Sequence, residues 1–418
     1  MTPFTETFRG FLDRLRAAGE MIEMRQPVDI RHIATLVDQS DKAIFFHDVI
    51  GYDMPVVSGI IRSRNRTIMA MGCTEYGQIE HRLRQGIDHP ISPRYIEAPA
   101  HKQVIMSGDE VDLFKLPIPM SSIYDGGPMI TAGVVMAHDP EYGYNTGCYR
   151  FMVKEKNLTG IDIVTPNNMR LFAQRAYEAG RPCPISISIG THPFEIMGSG
   201  FRAPLGVDEM GIAGGIRGAP VDLVSCETID MPCIADAEIV LEGEILPTGW
   251  TWPEGRFGEF TRLMGGLHWN PLVKVKAVSH RRNPIYYALH MPWENTWLAA
   301  PTRYNAIRRA LKTAGVQVKD INVTLGGCAF WHAVISIKKG AAGDGKNALL
   351  AALSVMDLKH VVVVDDDIDL NNPMDVEWAI ASRVQGDKDI VIVPGARAKP
   401  LDPSLAVMPP GVVPTATS

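Results

Sequence analysis

The segment PEGRFGEF holds two acids, Glu254 and Glu259, in one loop that also contains glycine. Two carboxyl groups in a loop of mixed polarity can be held at different pKa values, so that one acts as a general acid while the other stays ionised. The alternative is a pair of solvated loop acids, which is the commoner use of glutamate. The pair is therefore a candidate for proton transfer.

Arg150 is the second candidate, because it places a permanent positive charge inside the strand-like segment GYNTGCYRFMV. A buried guanidinium requires an anionic partner, since an unpaired buried charge is very costly. That partner is either a structural carboxylate or the anionic group of a ligand. In a strand, alternate residues share a face, which gives two sets: Asn145, Gly147 and Tyr149, and Thr146, Cys148 and Arg150.

Oxygen-bearing side chains at two predicted helix starts indicate a second kind of site. Asn167 and Asn168 open a helix over NNMRLFAQRAYEAG, where asparagine caps well and where a helix N-terminus can bind phosphate. Glu209 lies in a short glycine-rich helix, after a segment 198–200 that we expect to be a flexible turn. Such oxygens suit hard cations such as Mn²⁺, Mg²⁺ or K⁺. For each residue alone, a plain cap or a solvated side chain is the alternative.

The composition argues against several classes of protein. The 418 residues are 46% apolar and 21% charged, with a net charge of -6, a globular balance without the basic surface that nucleic acid requires. The six cysteines form no CxxC pair, which favours a reducing cytoplasm over a disulfide framework. We expect neither a membrane span nor a signal peptide. The GxGxxG, P-loop lysine and GxSxG motifs do not occur.

The apolar pattern predicts a mixed α/β (α+β) fold in three parts. Residues 1–104 alternate helix-like and strand-like segments and form a small α/β unit. Residues 105–298 contain strand-like segments separated by Gly, Pro and Asn, which is typical of an antiparallel barrel or sandwich. Residues 299–418 return to alternating strands and helices, with a last strand at DIVIVPG and a proline-rich tail, AVMPPGVVPTATS.

The order of these motifs resembles that of one family. Asn-x₄-Arg is followed by PxN at a helix start, DE in a glycine-rich helix, CET, AEIVLEG and EGxFGE, and then by VVVVDDDIDLNNPMDVEWAIASR near the C-terminus. In this order the chain resembles the UbiD-type decarboxylases, which use prenylated FMN and include ferulic acid decarboxylase. The resemblance runs from about Phe8 to Ser404. It implies that the central part is a split β-barrel-like domain that binds flavin.

The resemblance implies a carboxy-lyase, a reversible non-oxidative decarboxylase of an aromatic, heteroaromatic or α,β-unsaturated carboxylic acid. Arg150 is expected to bind the substrate carboxylate, and Glu259 to deliver a proton to the carbon that loses CO₂. Glu254 is expected to hold Arg150 and to modulate Glu259. The donor role implies a raised pKa for Glu259, which burial near another acid can produce.

The resemblance also assigns the contacts of the cofactor and metals. Mn²⁺ (or Mg²⁺) is expected beside the cofactor phosphate, with a K⁺ site built partly from carbonyls near Gly198 and Phe201. The metal ligands implied are Asn145, Asn168, Glu209 and Ser199. The contacts implied for prenylated FMN are Asn145, Thr146, Gly147, Cys148, Tyr149, Arg150, Asn167, Asn168, Glu209 and Lys399.

Two residues depart from the family's pattern. Many relatives carry histidine where this chain has Asn168, which leaves direct and water-bridged metal binding as alternatives. Arg256 stands where proline is common and adds a cation between the two acids. Four residues are expected to form pocket walls: His290, Met291, Trp293 and Trp297.

The resemblance implies partners as well as a site. A flavin prenyltransferase would supply the cofactor, and a homodimer or homohexamer is the expected assembly. Two alternatives stay open from the sequence: a flavin-binding oxidoreductase with unmodified FMN, and a non-catalytic subunit that keeps the same fold.

Overall fold

The computed structural model describes residues 3–356, 358–399, 401–405 and 415–418. Residues 406–414 of the tail expected from the sequence lie outside the described residues. The chain divides into two compact units, Met1–Leu298 and Ala299–Ser418. Arg150 and the two glutamates all belong to the first unit.

The first unit opens with helices packed on a small sheet. Its elements are α1 (Phe8–Ala17), β1 (Met21–Met24), α2 (Ile33–Asp38), β2 (Ala43–Phe46), β3 (Val56–Ser58), α3 (Arg64–Ala70) and α4 (Gly77–Asp88). Thr7 caps α1 by accepting from the amide of Gly10. The apolar face predicted from Phe8, Leu12 and Leu15 is fully buried.

The central part of the first unit is a closed barrel with helices around it. Its elements are β4 (Arg94–Tyr95), β5 (Val104–Ser107), β6 (Met129–Asp139), β7 (Gly143–Glu155), β8 (Leu158–Gly160), α5 (Asn168–Glu178), β9 (Cys183–Ile189), α6 (Pro193–Ser199), α7 (Glu209–Arg217), β10 (Asp222–Ser225), β11 (Pro232–Ile234), β12 (Ile239–Ile245), β13 (Trp252–Glu254), β14 (His268–Asn270), β15 (Leu272–His280) and β16 (Tyr286–Ala288). Six strands close a ring in the order β12–β9–β6–β7–β8–β15, because β15 also pairs with β12. The predicted α/β fold with a barrel-like centre is confirmed.

The barrel strands are buried on both faces. Along β6, Val135 belongs to one apolar core with Phe151 of β7, whereas Val134 belongs to a second core with Ile212 of α7. A charged side chain on β7 therefore has little access to bulk water from either face. Arg150 must find its partners inside the protein.

The segment 198–200 is not the flexible turn that the sequence predicted. Gly198 and Ser199 are the last residues of α6, and a Cβ on Gly198 would lie 2.7 Å from Cβ of Ala213 on α7. Because it has no Cβ, the glycine allows the two helices to approach closely. Close helix packing, and not a flexible turn, therefore accounts for glycine at this position. Asp208 caps α7 by accepting from the amide of Met210, so the helix begins at Glu209.

The second unit holds a three-stranded sheet. The remaining elements are α8 (Trp293–Thr313), which begins in the first unit, β17 (Val318–Val323), β18 (His332–Ile337), α9 (Asp344–Leu353), β19 (His360–Asp365), α10 (Pro373–Arg383), β20 (Ala396–Arg397) and β21 (Thr415–Ala416). β18 pairs antiparallel with β17 and parallel with β19. The strand predicted at DIVIVPG is wrong: Ile390 and Ile392 are 60% and 69% exposed, and residues 390–393 lie in no strand of the described part of the chain. Only Val393 of this run exchanges backbone hydrogen bonds with another described segment, at Ser418. A short apolar run alone does not determine a strand.

Among the residues that the structure describes, no helix has both the length and the apolar character needed to cross a bilayer. The six cysteines, all of them described, are free thiols.

Candidate active site

Arg150 lies at the centre of three carboxylates. Its Nη1 donates to Oε1 of Glu259, its Nε lies 3.2 Å from Oε1 of Glu254, and its Nη2 lies 2.9 Å from Oδ2 of Asp162. The Arg150 side chain is 10% exposed and that of Glu254 is fully buried. Burial lowers the pKa of Arg150, but the three carboxylate charges outweigh burial and raise this pKa. The alternative of solvated loop acids is therefore wrong.

The loop between β13 and β14 places the two glutamates on either side of the guanidinium. Gly255 has φ +112°, and a Cβ on it would lie 2.5 Å from the carbonyl oxygen of Gly266, so only glycine fits. Farther along the loop, the amide of Glu259 donates to the carbonyl of Leu263 at 3.0 Å. The ring of Phe257 has its centroid 4.8 Å from the Arg150 guanidinium carbon.

Asp125 holds this loop from the segment before β6, and the sequence did not single it out. Its Oδ1 accepts from the amide of Gly258 at 2.9 Å, and its Oδ2 accepts from the amides of Ser121 and Ser122 at 2.8 and 3.0 Å. Next to it, a Cβ on Gly126 would lie 1.8 Å from the carbonyl oxygen of Gly255. The segment DGG at 125–127 was the available signal, since it is a typical turn sequence.

Glu254 sits in the driest part of the cluster. Its Oε2 is buried and accepts no hydrogen bond from the described residues, and a Cβ on Gly160 would lie 2.8 Å from that oxygen. Burial, and after it the charge of Asp162, raises the pKa of Glu254 to about 7. Near neutral pH this carboxyl group can therefore carry a proton while it still accepts from Arg150.

Asp162 is a further member of the cluster that the sequence analysis missed. It follows β8, and its amide donates to the carbonyl of Arg150 at 3.2 Å. The signal was present, because GIDIVTP is an apolar run interrupted by one charge, as is the run around Arg150. A negative charge in one buried strand region and a positive charge in another are natural partners, but the sequence gives no strand pairing.

Asn145 and Glu209 form a second, neighbouring group of oxygens. Nδ2 of Asn145 donates to Oε1 of Glu209 at 2.8 Å, and the amide of Thr146 donates to Oε2 at 2.7 Å. Oδ1 of Asn145 is buried and accepts no hydrogen bond from the described residues. Burial raises the pKa of Glu209 to about 7. An orphaned amide oxygen beside a buried carboxylate fits a hard divalent cation.

The other side chains predicted to bind metal or cofactor form hydrogen bonds with backbone groups. Oδ1 of Asn167 caps α5 by accepting from the amide of Arg170 at 2.8 Å, and Nδ2 of Asn168 donates to the carbonyl of Ala203 at 3.2 Å. The hydroxyl of Ser199 donates to the carbonyl of Ile196 at 2.8 Å. Among the described residues, no group of three His, Cys, Asp or Glu could hold a metal, so a metal site here would have to include other oxygen ligands such as asparagine.

The other predicted contacts lie in both units. A Cβ on Gly147 would lie 2.4 Å from the Tyr149 ring, so the glycine leaves room for the tyrosine on β7. Burial raises the pKa of Cys148 to about 12, which keeps it a neutral thiol. Lys399 belongs to the second unit, where its Nζ lies 4.0 Å from the centroid of Phe330.

Three of the four predicted wall residues contact the N-terminal part, and one of these also contacts the loop of Glu259. The ring centroids of Trp297 and Tyr76 lie 5.9 Å apart. Nε1 of Trp293 donates to Oδ1 of Asp38 at 3.2 Å, and the Arg262 guanidinium carbon lies 5.4 Å from a Trp293 ring. His290 is buried with Nε2 3.5 Å from the same Asp38 oxygen, and burial lowers its pKa to about 4. Trp293 is therefore tied to the loop that carries Glu259.

A buried arginine flanked by two carboxyl groups lies on a barrel strand whose Asn145 also meets the buried Glu209 of α7, an arrangement that suits acid–base chemistry. Three family models of the 3-octaprenyl-4-hydroxybenzoate carboxy-lyases match the chain: the N-terminal domain over residues 12–84, the Rift-related domain over 94–292 and the C-terminal domain over 296–411. The chain belongs to this UbiD family and is a decarboxylase of the UbiD class.

Individual relatives can be aligned with this chain over most of their length. The anhydromevalonate phosphate decarboxylase of Methanothermobacter thermautotrophicus is 35% identical, with 96% of this chain and 94% of the relative covered. The gallate decarboxylase of Lactiplantibacillus plantarum is 31% identical, with 88% and 79% covered. The UbiD-class enzyme HmfF from Pelotomaculum thermopropionicum, solved in complex with FMN, has a TM-score of 0.91 at 37% identity, covering 96% of this chain and 91% of its own.

An evolved dimeric form of HmfF was solved with prenylated FMN and has a TM-score of 0.89 at 36% identity, with 93% of this chain and 92% of its own covered. The predicted family and the carboxy-lyase class are thereby confirmed. The oxidoreductase and the non-catalytic subunit, which the sequence had left open, do not describe a member of this class of decarboxylases.

Proposed function

We propose that the protein is a reversible, non-oxidative decarboxylase of an aromatic, heteroaromatic or α,β-unsaturated carboxylic acid, and that it works with prenylated FMN. The observation that carries this proposal is the buried guanidinium of Arg150 held between Glu254 and Glu259. The names of similar proteins support it, because they include a gallate decarboxylase, and HmfF was solved with FMN and with prenylated FMN.

Arg150 receives the carboxylate of the substrate. Glu254 and Glu259 accept from two of the N–H donors of Arg150, whereas the buried Nη2 is in ionic contact with Asp162 but donates no hydrogen bond to the described residues. Donors therefore remain for a ligand. A carboxylate matches the planar fork of arginine and can bind it through paired hydrogen bonds. The Phe257 ring and the three acids fix the orientation of the guanidinium before the substrate arrives.

Glu259 delivers the proton that replaces CO₂. When the bond to the carboxyl carbon breaks, its electron pair stays on the substrate carbon, which must then be protonated. Glu259 contacts Arg150 directly and is 5% exposed, so a substrate carboxylate held by Arg150 lies next to it with little water nearby. Glu254 holds Arg150 through Oε1 and modulates Glu259 by its own charge state.

Prenylated FMN, when bound, supplies the electron sink for the charge left on carbon. The residues of β7 from Asn145 to Arg150 would hold it, together with Asn167, Asn168 and Glu209. Mn²⁺ (or Mg²⁺) would be held by Oδ1 of Asn145 and the Glu209 carboxylate, with Asn168 and Ser199 as further candidate ligands. K⁺ would bind among the carbonyls near Gly198 and Phe201.

The same proposal includes partners. A flavin prenyltransferase supplies the cofactor, and a small carboxylic acid and CO₂ are substrate and product. A homodimer or homohexamer is the assembly, for which the dimeric form of HmfF is a precedent. The six free thiols favour the cytoplasm as its location.

Glu259→Gln tests the central assignment. Glutamine still accepts from Nη1 of Arg150 but cannot donate an acid proton. In protein co-expressed with a flavin prenyltransferase, we expect the variant to keep its cofactor, measured by absorbance and mass spectrometry. We expect it to lose at least about a hundredfold in CO₂ release, the range of general acid catalysis.

The matched control is Glu141→Gln, because Glu141 is exposed and pairs with Arg175 away from the cluster. It is expected to keep full activity. Unchanged CO₂ release by Glu259→Gln would remove Glu259 from the role of proton donor.

A further inference from the structure

The cluster around Arg150 contains one more carboxyl group than the proposed reaction uses. Arg150 contributes a single positive charge, whereas Asp162, Glu254 and Glu259 can contribute three negative charges. Uncompensated charge is costly away from water. The cluster therefore favours a state in which at least one of the three acids carries a proton.

Asp162 is the least buried of the three acids. Its Oδ1 accepts from the amide of Val164 at 3.3 Å, and its Oδ2 lies 2.9 Å from Nη2 of Arg150. Its side chain is 18% exposed, against 0% for Glu254 and 5% for Glu259. A carboxylate with two hydrogen-bonding or ionic partners and some contact with water is the least costly of the three to ionise.

Glu254 is the member best suited to hold the proton. Its Oε2 meets neither solvent nor a donor, so an ionised group would leave that oxygen unsolvated. The charged groups that act on it are Asp162, which opposes its ionisation, and Arg150 and Lys154, which favour it. His268 lies opposite Glu254 in the pairing of β13 with β14. Glu259 belongs to the same cluster because its carboxyl group accepts a hydrogen bond from Arg150.

We propose that Asp162 is a positioning residue of this site, which holds Nη2 of Arg150 and, by its charge, keeps one proton on the Glu254–Glu259 pair. The proposal rests on the proposed function for its catalytic meaning, because that pair supplies the proton in decarboxylation. Its physical content concerns the chain before any substrate is bound. Removing the charge of Asp162 leaves two carboxyl groups facing one guanidinium, so their proton is released more easily.

The test is an infrared titration of the full chain without cofactor. The absorption of a protonated carboxyl group is followed against pH, and its loss in Glu254→Gln or Glu259→Gln assigns it to the pair. In the wild type we expect the band to persist well above the ordinary pH range of a carboxyl group, because burial raises the pKa of Glu254. In Asp162→Asn we expect the midpoint to fall by about one unit or more. The basic limb of the kcat/KM profile of the cofactor-loaded enzyme should move in the same direction.

Asp139→Asn is the matched control, because Asp139 is also a buried aspartate and lies 2.9 Å from Arg175 outside the cluster. It should leave the midpoint unchanged, and Asp162→Glu, which keeps the charge, should restore a midpoint near the wild-type value. An Asp162→Asn protein with native circular dichroism and the wild-type midpoint would overturn the proposal.

If Asp162→Asn fails to fold, Asp162→Ser replaces it, since a hydroxyl can still accept from the amide of Val164. A wild-type midpoint in a folded Asp162→Ser protein would likewise overturn the proposal. The titration needs no turnover, so it separates the two proposals. A shifted midpoint in a chain that releases no CO₂ would support the role of Asp162 and contradict the decarboxylase function.

Discussion

At the scale of residues, the site is a buried positive charge with an excess of acids around it. Arg150 can be buried on a barrel strand because three acids from different segments, Asp162, Glu254 and Glu259, lie against its guanidinium. Removing any one partner would leave a charge or a donor unsatisfied in a dry environment. The structural and the ligand-binding explanations of Arg150 are therefore not exclusive, since the acids hold a guanidinium that, in the proposed function, also binds a carboxylate.

The oxygen pair on β7 and α7 gives a prediction about metal content. Asn145→Ala removes the orphaned Oδ1 and the donor to Glu209, and we expect the affinity for Mn²⁺ to fall at least about tenfold. Elemental analysis of cofactor-loaded protein measures the bound metal. Asn65→Ala is the control, because Asn65 also donates to a glutamate, Glu20, but on the surface. Equal metal content in Asn145→Ala and wild type would contradict the assignment.

Asn168→Ala answers a separate question with the same measurement. A loss of metal would make Asn168 a ligand, directly or through water. Unchanged metal content and activity would mean that Asn168 has only a structural role in the first turn of α5, where its side-chain amide donates to the carbonyl of Ala203.

At the scale of elements, α6 depends on an acid that burial keeps protonated. His192 and Glu195 form a capping box, in which Oε2 of Glu195 accepts from the amide of His192 at 3.0 Å. Burial raises the pKa of Glu195 to about 8, from an ordinary value of 4.5. The folded protein therefore binds this proton in a pH range where the unfolded chain has released it.

The stability of the wild type should consequently fall as pH rises from about 4.5 to about 8, by about 1.4 kcal/mol per unit of pKa shift at most. Glu195→Gln keeps the acceptor for the His192 amide but cannot ionise, so its free energy of unfolding should depend less on pH. Urea unfolding at pH 5 and pH 8 measures both proteins. If the free energy of unfolding changes by the same amount in both proteins between pH 5 and pH 8, Glu195 does not contribute to the pH dependence.

The elements themselves were largely predictable, because the periodicity of apolar residues and the caps are local. The helix at NNMRLFAQRAYEAG forms where Asn167 caps it, and the apolar runs of β6, β7 and β12 are strands. Two local expectations failed for reasons outside the local sequence. Gly198 lies in a helix that packs closely against α7, and residues 390–393 of DIVIVPG lie in no strand of the described part of the chain.

At the scale of the whole molecule, closure of the barrel assembles the site. Arg150, Asp162 and Glu254 come together because β7, β8 and β15 are neighbours in the ring and the β13–β14 ribbon precedes β15. Apolar patterns do not reveal which strands pair, so Asp125 and Asp162 could not be assigned to the site from sequence. Arg150, Glu254 and Glu259 could be named because their types and order match a family pattern.

The most direct test of the account is the fate of the carboxyl carbon. Wild-type protein loaded with prenylated FMN is given a panel of aromatic, heteroaromatic and α,β-unsaturated acids in D₂O, and CO₂ and product are analysed together. The account predicts CO₂ release from at least one acid, with deuterium at the carbon that carried the carboxyl group and no change in oxidation state elsewhere. Release of no CO₂ from any acid by cofactor-loaded protein, or an oxidised product, would contradict it.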